Sequence, residues 1–404
     1  MLDSIFIGTS GLQTFSEGLK VISNNIANLN TPGFKSSSSV FANLYYANPS
    51  EGNGQSATDN SHFGSGVSLS QTSVNFKAGE LRQTGNPLDL NVAGEGFFIV
   101  RDKGTGEPHY TRAGQFEFNK DGNLVVRGTD NQVVGLDAGG AQVSIGLNGL
   151  RLNPAKVTTT VTLSGNLSSD LFTNLTNNEY DIASVKVIDS LGGEHSLKLA
   201  FTPKTASNDT FVVKVLDGTT EVGNGELKFS AGGQVAPGFE AINFSYGPRG
   251  AVASNIKLDF STNVTDFNTG STSSLAASKV DGYGVGSLNN VAFEADGTMT
   301  LTYSNGQKTT GPKVALARFD ANSQLHPESG GSFTYASREG IHIGVANQGG
   351  YGSIGSSQIE GSNVDLASEF SDLIVAQRGY QASSRIVSTA NELLQDLFDM
   401  KGHR

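Results

Sequence analysis

The sequence of 404 residues contains no cysteine. This absence excludes disulfide bonds, thiolate catalysis and metal sites with cysteine ligands. A chain without cysteine is indifferent to the redox state of its compartment, so the composition agrees with a protein that leaves the cell.

Charged residues and long apolar runs are also scarce. Charged residues make up 16% of the chain, the formal net charge is −11, and the sequence has no basic cluster. Nucleic-acid binding needs a positive patch against phosphate, so we do not expect a nucleic-acid partner. No apolar run reaches the roughly 18 residues of a membrane helix, so membrane insertion is not expected either.

The amino-terminal segment lacks the features of a cleaved secretory signal. Asp3 stands where such a signal carries positive charge, and the first basic residue is Lys20. The apolar residues between them are interrupted by Gly, Ser, Thr and Gln. If the protein lies outside the cell, we expect it to be exported without a cleaved Sec signal.

Glycine is abundant, at 51 residues, and indicates many turns between short strands. Apolar and polar residues alternate on either side of Asp121-Gly122, which predicts a β-hairpin, and a second hairpin is predicted around Asp296-Gly297. Short strands separated by Gly and Pro clusters are predicted between residues 157 and 260. This middle stretch is expected to form a β-sandwich or a barrel-like domain.

The two ends of the chain have helical spacing instead. From Leu12 onward, apolar residues follow at steps of three and four until Thr31-Pro32-Gly33 ends the pattern. A second stripe predicts a helix from about residue 364 to 400, with Asn363 or Asp365 as its cap. The positions that we expect to form a polymer interface are Leu12, Phe15, Leu19, Ile22, Ile26, Leu29, Phe370, Leu373, Tyr380, Val387, Leu394 and Leu397.

Two interpretations of these helical ends remain open. They could be ordinary helices that pack on the β-core. Alternatively, they could pair with each other and with neighbouring subunits, because both are terminal and turn-rich segments separate them from the β-region. Each apolar stripe would be poorly buried on a single copy, which favours assembly through the ends.

No arrangement of residues points to catalysis or to a bound cofactor or metal. None of the six histidines pairs with another at metal-ligand spacing. The segment Gly350 to Gly355 fits G-x-G-x-x-G, but it does not belong to a βαβ unit, so we interpret it as a turn. Asp and Glu are numerous enough to leave a carboxylate pair open. We predict no catalytic, cofactor-binding or metal-binding residues.

The exit of the first predicted helix carries a longer motif. Asn24-Asn25-Ile26-Ala27-Asn28 is followed by Thr31-Pro32-Gly33-Phe34-Lys35. This stretch resembles the signature of the axial proteins of the bacterial flagellum, which are the rod, hook and hook-associated proteins. The positions that carry the resemblance here are Asn24, Asn25, Asn28, Thr31, Gly33 and Phe34.

The carboxyl-terminal stretch resembles hook proteins in particular. It contains Gln377-Arg378-Gly379-Tyr380, whereas rod proteins typically have Arg-Ala-Tyr after the Gln. Two other segments, at residues 93–98 and 281–286, are also similar to those of hook proteins. The length agrees with a hook subunit, since distal rod proteins are much shorter.

The resemblance implies a mainly β, multidomain fold. Two β-sandwich or barrel-like domains, one inserted in the other, would accompany a coiled-coil-like helical layer formed by both chain ends. The implied parts are an inner helical layer at 1–30 and 364–404, a connecting segment at 31–70, a first β-domain at 71–145 and 281–363, and an inserted outer β-domain at 146–280.

The resemblance also implies a function without catalysis. Hook subunits polymerise into a curved hollow tube, outside the cell, that acts as a universal joint and transmits torque from rod to filament. The implied partners are further copies of the chain, the distal rod, the hook cap, the hook-filament junction protein and the flagellar type III export apparatus. Phe41, Leu44 and Tyr45 are similar to an element that engages the export gate, or they could simply pack beneath the β-domain.

Three alternatives to the hook interpretation remain open. Another flagellar axial protein, of the rod or hook-associated type, would share the terminal motifs. A secreted β-rich adhesin would suit the middle region but would not explain the helical ends. A β-rich hydrolase would need a cleft with convergent groups that the sequence does not indicate. Some hook proteins are cross-linked through a cysteine and a lysine, and this chain lacks the cysteine.

Overall fold

The computed structural model describes residues 2–44, 46–47, 63–169, 179–204, 209–270, 272–337 and 339–402. Most of the regular structure is β, and the two α-helices are formed by the two ends of the chain. The predicted fold class is therefore confirmed.

The helices are α1 (Leu2–Ala27) and α2 (Leu366–Gly402). The strands are β1 (Ser37–Asn43), β2 (Tyr46–Ala47), β3 (Phe63–Gly64), β4 (Val67–Val74), β5 (Leu81–Gln83), β6 (Leu90–Ala93), β7 (Phe97–Arg101), β8 (Pro108–Thr111), β9 (Phe116–Phe118), β10 (Leu124–Val126), β11 (Gln132–Leu136), β12 (Gln142–Ser144), β13 (Leu152–Asn153), β14 (Thr160–Asn166), β15 (Tyr180–Ile188), β16 (Glu194–Pro203), β17 (Thr210–Asp217), β18 (Thr220–Lys228), β19 (Ala241–Tyr246), β20 (Ser254–Asp259), β21 (Val264–Thr265), β22 (Ala276–Val280), β23 (Gly286–Phe293), β24 (Thr298–Tyr303), β25 (Lys308–Phe319), β26 (Leu325–Pro327), β27 (Ser332–Tyr335), β28 (Ile341–Val345), β29 (Ser353–Ser356) and β30 (Gln358–Glu360).

The chain divides into two compact units. Unit 1 comprises Met1–Asn148, Val291–Thr300 and Thr310–Arg404, and unit 2 comprises Gly149–Asn290 and Leu301–Thr309. Both helices belong to unit 1.

The core of unit 1 lies on a sheet in which β25, β11, β7, β8, β27 and β26 are neighbours in that order. Strand β7 is buried on both faces, as its apolar sequence Phe97-Phe98-Ile99-Val100 requires. The ring of Phe97 lies 5.7 Å from that of Phe319 and 6.0 Å from that of Phe333, centre to centre. The hairpin expected around Asp121-Gly122 is present, with β9 paired to β10.

Unit 2 contains two sheets that share one apolar core. The first is the antiparallel meander β15-β16-β17-β18, and the second places β19, β20, β14 and β21 side by side, with β22 on β14. Strand β19 alternates buried and less buried residues, and Ile242, Phe244 and Tyr246 point into the core. A Cβ atom at Gly223 on β18 would lie 2.5 Å from Phe244, so the two sheets approach each other closely there. This arrangement is a β-sandwich.

The helix boundaries follow from local chemistry. The carboxylate of Asp365 accepts hydrogen bonds from the amides of Ala367 (2.8 Å) and Ser368 (3.2 Å), so Asp365 rather than Asn363 caps α2. Helix α1 ends at Ala27, two residues before Leu29 and five before Pro32. The last predicted seam position thus lies in the turn beyond the helix.

Candidate functional site: the paired terminal helices

Helices α1 and α2 pack against each other through very small residues. A Cβ atom at Gly11 would lie 2.6 Å from the hydroxyl oxygen of Ser383, and one at Gly379 would lie 2.5 Å from the ring of Phe15. Both distances are shorter than real Cβ contacts, so a larger residue at either position would have to displace the side chain of Ser383 or Phe15. The apolar residues at helical spacing form the surfaces through which the helices pack. These glycines determine how closely the two helix backbones approach each other.

The centre of the contact on α2 is a row of residues seven positions apart. Ala376, Ser383 and Ala390 are each less than a tenth exposed. Seven residues complete two helical turns, so all three lie on the side of α2 that faces α1. The larger apolar residues of the predicted stripe lie on the flanks of this row.

The predicted interface positions therefore divide into two groups. On the amino-terminal side, six side chains are half-buried, namely Leu12, Phe15, Leu19, Ile22, Ile26 and Leu29. On α2, Leu373, Val387 and Leu394 are half-buried, whereas Phe370, Tyr380 and Leu397 are exposed. The half-buried side chains are partly covered within a single copy. The exposed side chains are not covered by the described part of this chain.

The helix pair exposes other large apolar side chains that were not among the predicted interface positions. Val375 is 67% exposed, more than Phe370 at 52%. Contiguous patches of exposed apolar side chains are a common feature of interaction surfaces in proteins. The additional exposed members are Phe6, Ile7, Ile374, Val375, Ile386, Leu393, Phe398 and Met400.

Asn25, from the amino-terminal motif, joins three elements at the base of the helix pair. Its side chain is 1% exposed. Its amide nitrogen donates to the carbonyl of Ser37 (2.8 Å) and to the carboxylate of Glu369 (2.9 Å), and its oxygen accepts from the amide of Ser37 (3.0 Å). The motif asparagine thus ties α1 to β1 and to the first turn of α2. Burial raises the pKa of Glu369, while the hydrogen bond from Asn25 opposes that shift.

A second side-chain amide, that of Asn363 just before α2, binds the backbone of two other segments. It accepts a hydrogen bond from the amide of Ser36 (2.8 Å) and donates to the carbonyls of Asn75 (2.7 Å) and Lys77 (2.9 Å). The segment that enters α2 is therefore held to the segment that leaves α1. From the sequence, Asn363 is predicted only as a possible helix cap.

The other amino-terminal motif residues build the turn after α1. Asn28 donates to the carbonyl of Asn24 (2.9 Å), and Thr31 donates to the side-chain oxygen of Asn28 (3.0 Å). Gly33 has a φ of 70°, and a Cβ atom there would lie 2.4 Å from the amide nitrogen of Ala113. Phe34 is half-buried. In the carboxyl-terminal motif, Gln377 and Arg378 are exposed, and the motif contributes to the helix contact through Gly379.

The proposed export element is only partly described. Phe41 lies on β1, is 47% exposed, and its ring centre lies 6.2 Å from that of Phe15. Leu44 is half-buried, and its amide donates to the carbonyl of Gly66 (2.8 Å). Tyr45 lies outside the described residues.

Neither a metal centre nor a membrane span emerges from the described ranges. No group of three or more His, Asp or Glu side chains in them could hold a metal ion. Within the same ranges, neither helix is long and apolar enough to cross a bilayer.

Four protein-family models match successive parts of the chain. They are described as Flagella basal body rod protein (residues 5–35), Flagellar hook protein FlgE/F/G D1 domain (91–168), Flagellar basal body protein FlaE D2 domain (166–283) and Flagellar basal body rod FlgEFG protein C-terminal (356–400).

Curated proteins match over almost the whole length. The proteins named Flagellar hook protein FlgE from Escherichia coli and from Rhizobium meliloti are each 31% identical, over 97% of this chain and 98% of that protein for the first, and 98% of each for the second. The protein of that name from Borreliella burgdorferi is 30% identical over 99% of this chain and all of its own length. The crystal structure of Helicobacter pylori flagellar hook protein FlgE2 aligns with a TM-score of 0.46 and 12% identity, over 68% of this chain and 98% of that chain. Because the first three matches are full-length, the chain belongs to the flagellar hook protein family and is a structural subunit of the hook.

Proposed function

We propose that this chain assembles with copies of itself through its terminal helix pair, and that the resulting curved hollow tube acts as the universal joint between rod and filament. The observation that carries the proposal is the row of large apolar side chains left exposed on α2. Val375 and Phe370 are more than half exposed although they lie beside a close helix contact. Covering such side chains stabilises an assembly by about 25 cal/mol for each Å² removed from water.

The proposed interface has two parts. Half-buried positions such as Phe15 and Leu373 hold the two helices of one copy together, and exposed positions such as Phe370, Tyr380 and Leu397 meet a neighbouring copy. A contact between different surfaces of identical subunits generates an open helical assembly when its rotation does not close into a ring, and a tube of this kind needs such a contact.

We further propose the division of labour among the parts of the chain. Residues 1–30 and 364–404 form the inner layer, and residues 31–70 connect it to the rest. Residues 71–145 and 281–363 form the first β-domain, and 146–280 form the outer one. Polar interfaces between the β-domains of neighbouring copies would let them slide as the tube bends.

We assign the chain no enzymatic activity, cofactor or metal, because its relatives are named as flagellar hook proteins. Its proposed partners are the distal rod, the hook cap, the hook-filament junction protein and the type III export apparatus. Export would proceed without a cleaved Sec signal, with Phe41, Leu44 and Tyr45 as the gate element. The location of hook proteins in the flagellum, outside the cell, requires that the chain be exported.

Substitution of the exposed Phe370 tests the proposal. Phe370→Asp adds charge at a position that is already 52% exposed, so we expect the single chain to fold as before. In the proposed tube the same charge would be buried without a partner, and polymers should be lost. Phe370→Leu is the matched control, since it keeps the position apolar.

The readout is electron microscopy of purified protein under polymerising conditions, together with circular dichroism of the single chain. Polymers of normal abundance from Phe370→Asp would contradict the role of this residue. Deleting residues 1–30 and 365–404 tests the whole layer, because polymers from that truncated chain would exclude assembly through the ends.

A further inference from the structure

A buried charge cluster in unit 1 lies where both helices join the β-sheet, and we propose that its three members, Glu360, Lys35 and Arg112, are positioning residues that hold the helix pair in one orientation on the β-domain. The inference rests on the proposed assembly through the helix pair. It adds that the tube needs a fixed joint at the base of that pair.

Glu360 is the centre of the cluster and is fully buried. One carboxylate oxygen accepts from the ammonium group of Lys35 at 2.5 Å and from the amide of Gly79 at 2.9 Å. The other accepts from the guanidinium group of Arg112 at 3.3 Å. Lys35 and Arg112 are also buried, at 4% and 6% exposed. Burial lowers the pKa of Lys35, and the charge of Glu360 opposes that shift.

The two cations extend the cluster to further backbone segments. Lys35 donates to the carbonyl of Lys77 (2.7 Å). Arg112 donates to the carbonyls of Val92 (3.1 Å) and Gly94 (2.8 Å), and it lies over the ring of Phe97 at 5.0 Å from the ring centre. Each partner therefore connects Glu360 to a different part of the β-domain.

The location of the cluster indicates that it restrains the chain segments at the base of the two helices. Lys35 follows the turn that leaves α1, and Glu360 is the last residue of β30, six positions before α2 begins. The backbone carbonyl of Glu360 also accepts from the amide of Gly33 (2.8 Å). One residue thus holds both the exit from α1 and the entry to α2, and these are the two chain connections between the helix pair and the β-domain.

Stability of the fold alone would not require charged side chains at this buried position. Apolar residues of the same volume often stabilise a core as well as a buried ion pair does. Ion pairs and hydrogen bonds differ in being directional, because they hold only within a narrow range of distance and angle. A directional joint restrains the orientation of the helices, which an apolar contact does less well.

The test measures that orientation in assembled polymers. The chain has no cysteine, so two introduced cysteines carry spin labels at known places. Gln13→Cys lies on the exposed side of α1, and Lys120→Cys lies in the exposed turn after β9, both in unit 1. Labelled chains are co-assembled with excess unlabelled parent protein, and pulsed electron paramagnetic resonance gives the distribution of distances between the labels.

Two variants remove one partner each, namely Glu360→Gln and Lys35→Met. We expect the distance distribution to broaden by about twofold or more, because the segments at the base of the helices are then free to act as hinges. The matched control is Lys313→Met, which breaks the half-exposed ion pair with Asp296 in the same unit (2.7 Å) and should leave the distribution unchanged.

Hydrogen exchange of the buried strand β10 shows whether the β-domain still folds in each variant. A variant that keeps these amides protected but fails to enter polymers supports the inference, since it has lost only the placement of its helices. Parent-like distributions in both variants overturn it. If Phe370→Asp polymerises normally while Glu360→Gln broadens the distribution, the proposed interface fails and the positioning role stands.

Discussion

The ring of Phe15 on α1 lies directly against the backbone of Gly379 on α2, so that a Cβ atom at Gly379 would lie 2.5 Å from it. Gly379 belongs to the motif that distinguishes the chain from rod proteins. Its absence of a side chain lets the aromatic ring of the first helix enter the surface of the last one. A residue of the carboxyl-terminal motif thus determines how closely α1 and α2 pack in the proposed inner helical layer.

Gly379→Val should separate the two helices. Valine would overlap with the Phe15 ring, and overpacking of this kind costs about 1–3 kcal/mol. We expect a lower melting temperature for the helical circular-dichroism signal of polymers. Valine favours a helix more than glycine does, so helix propensity alone predicts no loss at this position. Ala382→Val, at an exposed position on the same helix, is the control for placing a β-branched side chain on α2. An unchanged melting temperature for Gly379→Val would show that the contact with Phe15 is unimportant.

Gly33 is expected to be much more sensitive than other glycines of the same backbone conformation. Its φ is 70°, and a Cβ atom would lie 2.4 Å from the amide nitrogen of Ala113. Gly85 has a φ of 74°, but a Cβ atom there would meet nothing within 4 Å. Gly33→Ala should therefore cost both conformational strain and a steric clash.

The comparison of Gly33→Ala with Gly85→Ala separates these two effects. We expect the Gly85 variant to lose about 1 kcal/mol, from the left-handed conformation alone. The Gly33 variant should lose about 2–4 kcal/mol, because backbone atoms at Ala113 must also move. Urea unfolding of the two variants measures the difference, and equal values would refute the steric argument.

The sequence predicted the location of the helices and the β character of the middle, because both depend on periodicity along the chain. It could not predict which side of α2 faces α1. Hydrophobic spacing places Tyr380 and Leu397 on the predicted stripe, but it does not show that the small residues Ala376 and Ser383 form the centre of the contact with α1. Close helix packing favours small residues at its centre, and hydrophobic spacing alone does not show this.

The role of Lys35 and Glu360 was also beyond prediction from a single sequence. The two residues are 325 positions apart, and nothing in the local pattern of either indicates burial. Lysine and glutamate are seldom fully buried, so sequence reasoning places them at the surface. Lys35 was included in the motif, but its partner could be found only from the fold.

Asn25→Ala should loosen the base of the helix pair. The substitution leaves the amide and the carbonyl of Ser37 and the carboxylate of Glu369 without the partners that they have now. Because these groups are buried or half-buried, the expected loss is about 2–3 kcal/mol. Asn30→Ala, in the exposed turn beyond α1, is the control and should change stability by less than about 0.5 kcal/mol. Thermal unfolding of both variants in polymers measures the difference, and a loss of equal size would contradict the role of Asn25.

Asp266 in unit 2 should make the protein less stable as the pH rises, whereas most carboxylates make a folded protein more stable as the pH rises. Burial, together with the negative charge of Asp209, raises its pKa to about 7. One carboxylate oxygen is buried without a hydrogen-bond partner among the described residues. The pKa in the folded state exceeds the unfolded value of 3.8. The stabilising contribution of the protonated carboxyl group is therefore complete below pH 3.8 and is lost as the pH rises through about 7.

Asp266→Asn removes this titration while keeping the shape of the side chain. A shift of about three units corresponds to at most about 4 kcal/mol, and partial solvent exposure reduces the expected gain to about 2 kcal/mol at about pH 8. Near pH 4 the variant and the parent should be about equally stable. Urea unfolding followed by amide exchange in β19 reports on unit 2 alone.

Asp296→Asn is the control of opposite sign. Its hydrogen bond from Lys313 lowers the pKa of Asp296 to about 2, so the ionised group stabilises unit 1 above the unfolded value and this contribution is lost as the pH falls through about 2. Its replacement should therefore destabilise the protein at about pH 8, where the replacement of Asp266 stabilises it. If Asp266→Asn has no greater effect at about pH 8 than near pH 4, the carboxylate does not titrate as its surroundings require.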